Sequence, residues 1–120
     1  MSNNEENKVK SVGSGKYSVY QLTNNDQDST NRGKRLFVVS TLTSPEGVRS
    51  MVRAMAKTDT AGGGNKELST DMKSSGKHYS EKYSVSKLIT GASKDQAEAL
   101  KGKLISRYGV KKVYNKTLPL

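Results

Sequence analysis

The sequence predicts a single α+β domain: a small three-stranded antiparallel sheet flanked by about three helices, in the order β-β-α-α-β-α. Three observations carry this. Short runs rich in Val and aromatic residues recur at Tyr17–Thr23, Lys34–Thr41 and Lys82–Ile89. Ser93 to Tyr108 has helical spacing of Ala97, Leu100, Leu104, Ile105 and Tyr108, opens with Ser93 and Gln96 as a capping box, and closes on Gly109. The 120 residues are 32% hydrophobic, which suits one modest core with part of the chain outside it. The expected organisation is a flexible N-terminal arm over 1–15, a domain over 16–117 and a tail over 118–120.

Residues 1–15 are mostly Asn, Ser, Lys, Glu and Gly, the composition of a disordered arm. Gly13-Ser14-Gly15-Lys16 lacks the first glycine of a phosphate loop and has no strand before it. Tyr17 to Thr23, YSVYQLT, alternates side chains as a strand does, and Asn24 to Gly33 reads as a solvated loop. Asp26 and Asp28 in that loop are followed by no Gly or Glu at the positions a calcium loop requires. Lys34 to Thr41, KRLFVVST, is a second strand whose continuous apolar run predicts burial on both faces. These two strands pair as an antiparallel hairpin with a long connection.

Ser44-Pro45-Glu46 starts a helix with a cap, a proline at its first position and an acid in its first turn. Val48, Met51, Val52 and Met55 form its apolar stripe; Arg49, Arg53 and Lys57 form a basic stripe beside it. Ala61 to Gly64 is a flexible link, and Asn65 to Ser75 is a short helix anchored by Leu68 and Met72. In the third strand the alternation of Tyr83 and Val85 breaks at Leu88, which predicts a bulge or an edge position. His78 is the one histidine, with no metal-ligand spacing around it, and reads as a loop residue. Lys101 lies inside the apolar face of the last helix, four residues from both Ala97 and Ile105. A lysine there either snorkels or lines a groove.

Charge narrows the partners. There are 21 Lys and Arg against 11 Asp and Glu, a net charge of +10. Residues 1–60 carry nine basic and six acidic side chains; residues 61–120 carry twelve and five. The excess is larger in the half that contains the last helix and predicts a polyanionic partner, a nucleic acid. The absence of cysteine removes disulfides, thiolate zinc sites and cysteine nucleophiles together. No apolar run approaches the roughly 20 residues that span a bilayer, and Met1 leads into SNNEENK rather than an apolar signal segment. The expectation is a cytoplasmic protein with no membrane partner.

The order of elements, over about residues 16 to 117, resembles a GIY-YIG nuclease domain. Ser18-Val19-Tyr20 stands where the first motif would be. Phe37-Val38-Val39, followed by Ser40-Thr41, stands where the second would be. Arg49, with Arg53 as the other candidate, matches the arginine of the first helix. Ala97 to Tyr108 resembles the helix that bears the family's catalytic glutamate, and Tyr114-Asn115 resembles its terminal Tyr-Asn pair. The resemblance implies tyrosines and an arginine around a scissile phosphate, and a glutamate holding one divalent metal. It also implies the company of phages and mobile elements, where such domains serve as homing endonucleases in an infected bacterial host.

The departures favour binding over cleavage. Phe37 has no hydroxyl where a tyrosine is usual, Val39 replaces a glycine, and Lys101 occupies the glutamate position, a cation where the metal would sit. The leading expectation is therefore a DNA-binding protein on a catalytically degenerate GIY-YIG-like domain, regulatory or competing with a nuclease. Its groove would comprise Tyr17, Tyr20, Arg49, Arg53, Lys101 and Asn115, with phosphate contacts from Lys103, Arg107, Lys111 and Lys112. No metal or other cofactor is expected for that role. The alternative is an atypical endonuclease or nickase using Tyr20, Arg49, Glu98 and Asn115, the only reading that calls for Mg²⁺. A protein-binding regulator or inhibitor is the third, and a homodimer is compatible with any of them. Tyr17, Tyr20, Tyr79 and Tyr83 would be the stacking surfaces if RNA were the ligand.

Overall fold

The computed structural model describes residues 9–58, 66–75, 79–109 and 111–115. The elements run β1 (Lys10–Ser11), β2 (Tyr17–Asn24), β3 (Arg35–Ser40), α1 (Pro45–Thr58), α2 (Lys66–Ser74), a single turn α3 (Tyr79–Lys82), β4 (Tyr83–Ala92) and α4 (Lys94–Tyr108). The expected Ala61–Gly64 link and 118–120 tail, His78, and the side chains of Met55, Lys57 and Tyr79 lie outside the described residues.

The sheet has four strands in the order β1-β4-β2-β3, not three, and it is mixed rather than purely antiparallel. β2 pairs antiparallel with β3 and β4, whereas β1 pairs parallel with β4. The extra strand comes from the segment expected to be a flexible arm. Val12 N donates to Thr90 O at 3.0 Å and Gly15 N to Gly91 O at 2.9 Å, so residues 10–15 run along the β4 edge. Composition hides this because the attachment is made by backbone and by glycines. A Cβ on Gly15 would lie 2.2 Å from Ala92 O, and Gly91, at φ +75°, would place one 2.2 Å from Gly13 O. Only glycine permits that approach.

β2 is the central strand, and its side-chain period of two divides the core into two. Tyr20 and Leu22 face one side, where they pack with Leu36, Tyr83, Val48 and Val52 of α1, and Leu68 and Met72 of α2. Val19 faces the other side, with Ala92 and Ala97; Phe37 and Ile105 form the adjoining cluster. The domain is thus three-layered, with α1 and α2 on one face of the sheet and α4 on the other. Leu36 and Phe37 are both buried, one in each core, as the continuous apolar run of β3 predicts.

β4 carries the bulge that the broken alternation predicts. Val19 pairs with Ile89 but Tyr20 pairs with Lys87, so Leu88 is the extra residue. Leu88 and Ile89 consequently both pack on the α4 side. α4 opens with the expected capping box: Gln96 N donates to Ser93 Oγ at 3.1 Å, and Ser93 N donates to Gln96 Oε1 at 2.9 Å. Gly109 ends it at φ 88°.

The β2–β3 loop is not the solvated connection its composition predicts. Asp26 is buried, accepting from Asp28 N at 3.0 Å and from Ser75 Oγ at 2.9 Å. Asn31 donates to Glu67 at 3.0 Å and to Asp71 at 2.7 Å, and Lys34 Nζ lies 2.8 Å from Glu67 Oε2. The loop and α2 are polar partners because each supplies what the other lacks. The loop brings amide donors and a lysine, and the helix brings carboxylates.

Two stability outcomes follow. The hydrogen bond from Asp28 N, with those of Ser75 and the nearby charge of Lys82, holds the Asp26 carboxyl below its ordinary value of 3.8. A depressed folded-state pKa means stability present above 3.8 and lost as pH falls through the lower folded value. Asp26→Asn is expected to flatten the acid limb of a chemical-denaturation pH series relative to the parent protein. Separately, a Cβ on Gly102, mid-helix in α4, meets no atom within 4 Å. Gly102→Ala is therefore expected to stabilise by roughly 0.5–1 kcal/mol in the same assay.

Candidate nucleic-acid interface

The residues expected to form one groove fall on two faces of the sheet. Tyr17 and Tyr20 are three apart on a strand, so they point to opposite sides. Tyr17 is half-buried on the α4 side with Val19 and Ala92, while Tyr20 is in the α1/α2 core. Register separates the two resembling motifs in the same way: Tyr20 pairs with Val38, and Phe37 pairs with Gln21. Arg49 and Arg53 belong to α1, and Lys101 belongs to α4, with the sheet between them. A single groove holding Tyr20, Arg49 and Lys101 is not formed.

Tyr20 and Lys101 are each engaged within the fold. Tyr20 is fully buried, and its hydroxyl donates to Leu42 O at 2.6 Å. Burial raises its pKa above the ordinary value, which opposes the deprotonation that a proton-relay tyrosine needs. Lys87 Nζ lies 5.8 Å from the Tyr20 ring centre and donates to Thr43 O at 2.8 Å, so residues 42–43 are held from two directions. Arg49 is partly buried, and its Nε is covered with no acceptor among the described residues. Arg53 is exposed on the α1 surface.

Lys101 resolves the question posed by its place in an apolar seam. Its side chain is 12% exposed and its ammonium lies 3.1 Å from Glu98 Oε1, one turn back on the same helix. The stem is covered and the charge is returned toward the rim of the helix, which is snorkelling with a paired head. Glu98, the alternative catalytic carboxylate, is the partner in that pair. Among the described residues no group of three or more His, Asp or Glu is arranged to hold a metal ion.

Asn115 is buried against β3. Its Oδ1 accepts from Phe37 N at 2.8 Å and its Nδ2 donates to Phe37 O at 2.9 Å. Tyr114 is equally enclosed: its hydroxyl donates to Asp71 at 2.7 Å and accepts from Asn24 at 2.9 Å. Burial, with the hydrogen bond to Asp71, raises the Tyr114 pKa above its ordinary value. The Tyr-Asn pair therefore closes the fold. Tyr83, offered as a stacking surface, is also buried.

Four expected residues remain exposed. Lys103 and Arg107 are exposed on α4, and Lys111 and Lys112 are exposed just after it. With Lys94 they have no ion-pair partner among the described residues. The chain from 94 to 112 carries six cations against two acids, and one of those acids is neutralised by Lys101. On the opposite layer Asp26, Glu67 and Asp71 are consumed by bonds to Ser75, Asn31, Lys34 and Tyr114.

The sequence reading missed Arg35. Its guanidinium carbon is 4.5 Å from the Tyr108 ring centre, and Tyr108 stacks on Phe37 at 5.8 Å. The spacing of Arg35 and Phe37 places both on one strand face, but no local signal brings Tyr108 to them.

If Tyr20 and Asn115 serve the fold rather than chemistry, their loss will register as stability. Tyr20→Phe is expected to cost about 1 kcal/mol, and Asn115→Ala about 3 kcal/mol because Phe37 N and O lose their partners. Urea denaturation checks both; no change for Asn115→Ala would contradict the pinning role.

No protein-family model, no curated protein and no solved structure matches this chain.

Proposed function

We propose that this protein binds DNA through its phosphate backbone, without cleaving it, using the exposed cations of α4 and the segment that follows. The observation that carries the reading is the division of charge between the two helical layers. Asp26, Glu67 and Asp71 on the α1/α2 side are bonded internally, while Lys103, Arg107, Lys111 and Lys112 are exposed and lack acid partners among the described residues. Unpaired cations on one rigid surface are an electrostatic footprint for a polyanion. Contacts of this kind position the protein on the duplex but do not read bases.

The proposed domain is GIY-YIG-like in the order of its elements from β2 to α4. What supports a non-cleaving role is the separation of the residues that would have to converge. Tyr20 and Arg49 lie on one side of the sheet; Lys101 and Glu98 lie on the other. A binding surface needs no such convergence. A protein-binding role has less support: among the described residues the exposed large hydrophobics are Val9 and Leu42, which offer no apolar docking face. No helix among the described residues is long and apolar enough to cross a membrane.

Fluorescence anisotropy of a labelled duplex across a salt series tests this. The logarithm of affinity is expected to fall linearly with the logarithm of salt, by about 0.9 log units per tenfold rise in salt for each neutralised phosphate. Lys103→Gln with Arg107→Gln should weaken binding at least tenfold and make the slope shallower by about two. Lys101→Met, which removes a charge already paired, should change affinity less than twofold. The reverse ranking would restore the groove around Lys101. Nicking of supercoiled DNA with Mg²⁺ or Mn²⁺ that disappears in Arg49→Ala would replace binding with catalysis.

A further inference from the structure

Resting on that binding reading, we propose that Arg35, Lys111 and Lys112 form a phosphate-binding corner, the fixed point of the DNA-contacting surface. The three cations are far apart in the sequence but are joined by backbone. Arg35 N donates to Lys112 O at 3.1 Å, and Tyr114 N donates to Arg35 O at 2.6 Å. Lys112 N donates to Gly109 O at 3.0 Å, which ties the same turn to the end of α4. The 111–112 turn therefore cannot drift from Arg35 without breaking a strand-like pairing.

The guanidinium is held in an unusual way. It lies over the Tyr108 ring at 4.5 Å, its Nη1 makes one long bond to Gly33 O at 3.3 Å, and its Nε is covered, with no acceptor among the described residues. No carboxylate pairs with it among the described residues. A structural arginine normally spends its planar fork on a carboxylate or on several carbonyls. Here stacking fixes the plane and leaves the Nη2 end of the fork unspent, on a residue whose backbone is bonded to the turn that carries two exposed lysines. Stacking on an aromatic ring also pre-orders the side chain, so less rotamer freedom is lost when an anion arrives. The ligand chemistry that matches a planar fork flanked by point charges is a phosphate group, here a backbone phosphodiester.

The corner differs in kind from the exposed cations of α4. Lys103 and Arg107 stand on solvated stems and act through charge. Arg35 acts through geometry as well, so replacing it with lysine should not be neutral.

The test has two arms on the full chain. In the first, ¹⁵N-labelled protein is titrated with inorganic phosphate, with sodium chloride at matched ionic strength as control. Saturable shifts are expected at the Arg35, Lys111 and Lys112 amides with phosphate alone. In the second, Arg35→Lys is expected to weaken duplex binding about fivefold while leaving the salt slope unchanged, because charge is conserved. Duplex binding that persists with a silent corner in the first arm, or with Arg35→Lys equal to the parent, overturns the corner and leaves the DNA reading standing. Saturable phosphate shifts with no duplex binding overturn the DNA reading and leave the corner as a phosphate site. Equal shifts with chloride reduce it to screening and overturn the proposal. Because the first arm uses the unaltered chain, a folding defect in Arg35→Lys does not obscure the result.

Discussion

The pair of hydrogen bonds between the Asn115 amide and the backbone of Phe37 holds the two halves of this molecule together. An amide side chain has one donor and one acceptor in a plane, the same set that a strand presents at each outward residue. Asn115 therefore occupies the β3 edge as a neighbouring strand would, meeting Phe37 N and O at 2.8 and 2.9 Å. The bridge between Arg35 and Val113 extends that pairing one step back. Because side chains alternate, Val113 enters the α4-side core and Tyr114 enters the α1/α2-side core. A segment of three residues thus closes both layers, and it also sets Lys111 and Lys112 beside Arg35.

The polar interior on the α1/α2 side depends on the same segment. Tyr114 delivers a hydroxyl between Asn24 at the end of β2 and Asp71 on α2. Asn31, Glu67 and Lys34 complete the chain of contacts to the loop. Buried polar groups are costly unless each finds a partner, and a network that satisfies them fixes one arrangement of its elements. This network consumes the carboxylates of Glu67 and Asp71. The exposed cations of α4 and of the turn after it have few acids beside them in sequence.

A considerable part of this was readable from residue order. The capping box at Ser93, the proline start of α1 and the break of alternation at Leu88 are local signals, and local geometry honoured them. The apolar run of β3 announced a strand buried on both faces, and Leu36 and Phe37 are buried on opposite sides. The exposure of Lys103 and Arg107 also follows from their places outside the apolar stripe of α4. Less was legible of the site. Period-two alternation already separates Tyr17 from Tyr20, a consequence that assembling a groove from motif order overlooked. The edge strand at Lys10–Ser11 gave no such warning, since its pairing is carried by backbone atoms common to every residue.

By itself, then, the sequence determined the type and sequence of the elements, the excess of positive charge and its concentration in the second half, because propensity, capping and charge act over a few residues. Tertiary structure decided which layer each helix joins, that Lys101 is paired with Glu98 while its neighbours are not, and that Arg35 meets Tyr108 and the 111–112 turn. Those outcomes depend on strand register and on burial against distant residues. A one-residue change of register exchanges the two faces of a strand, and nothing within a short window specifies which partner will lie across from it.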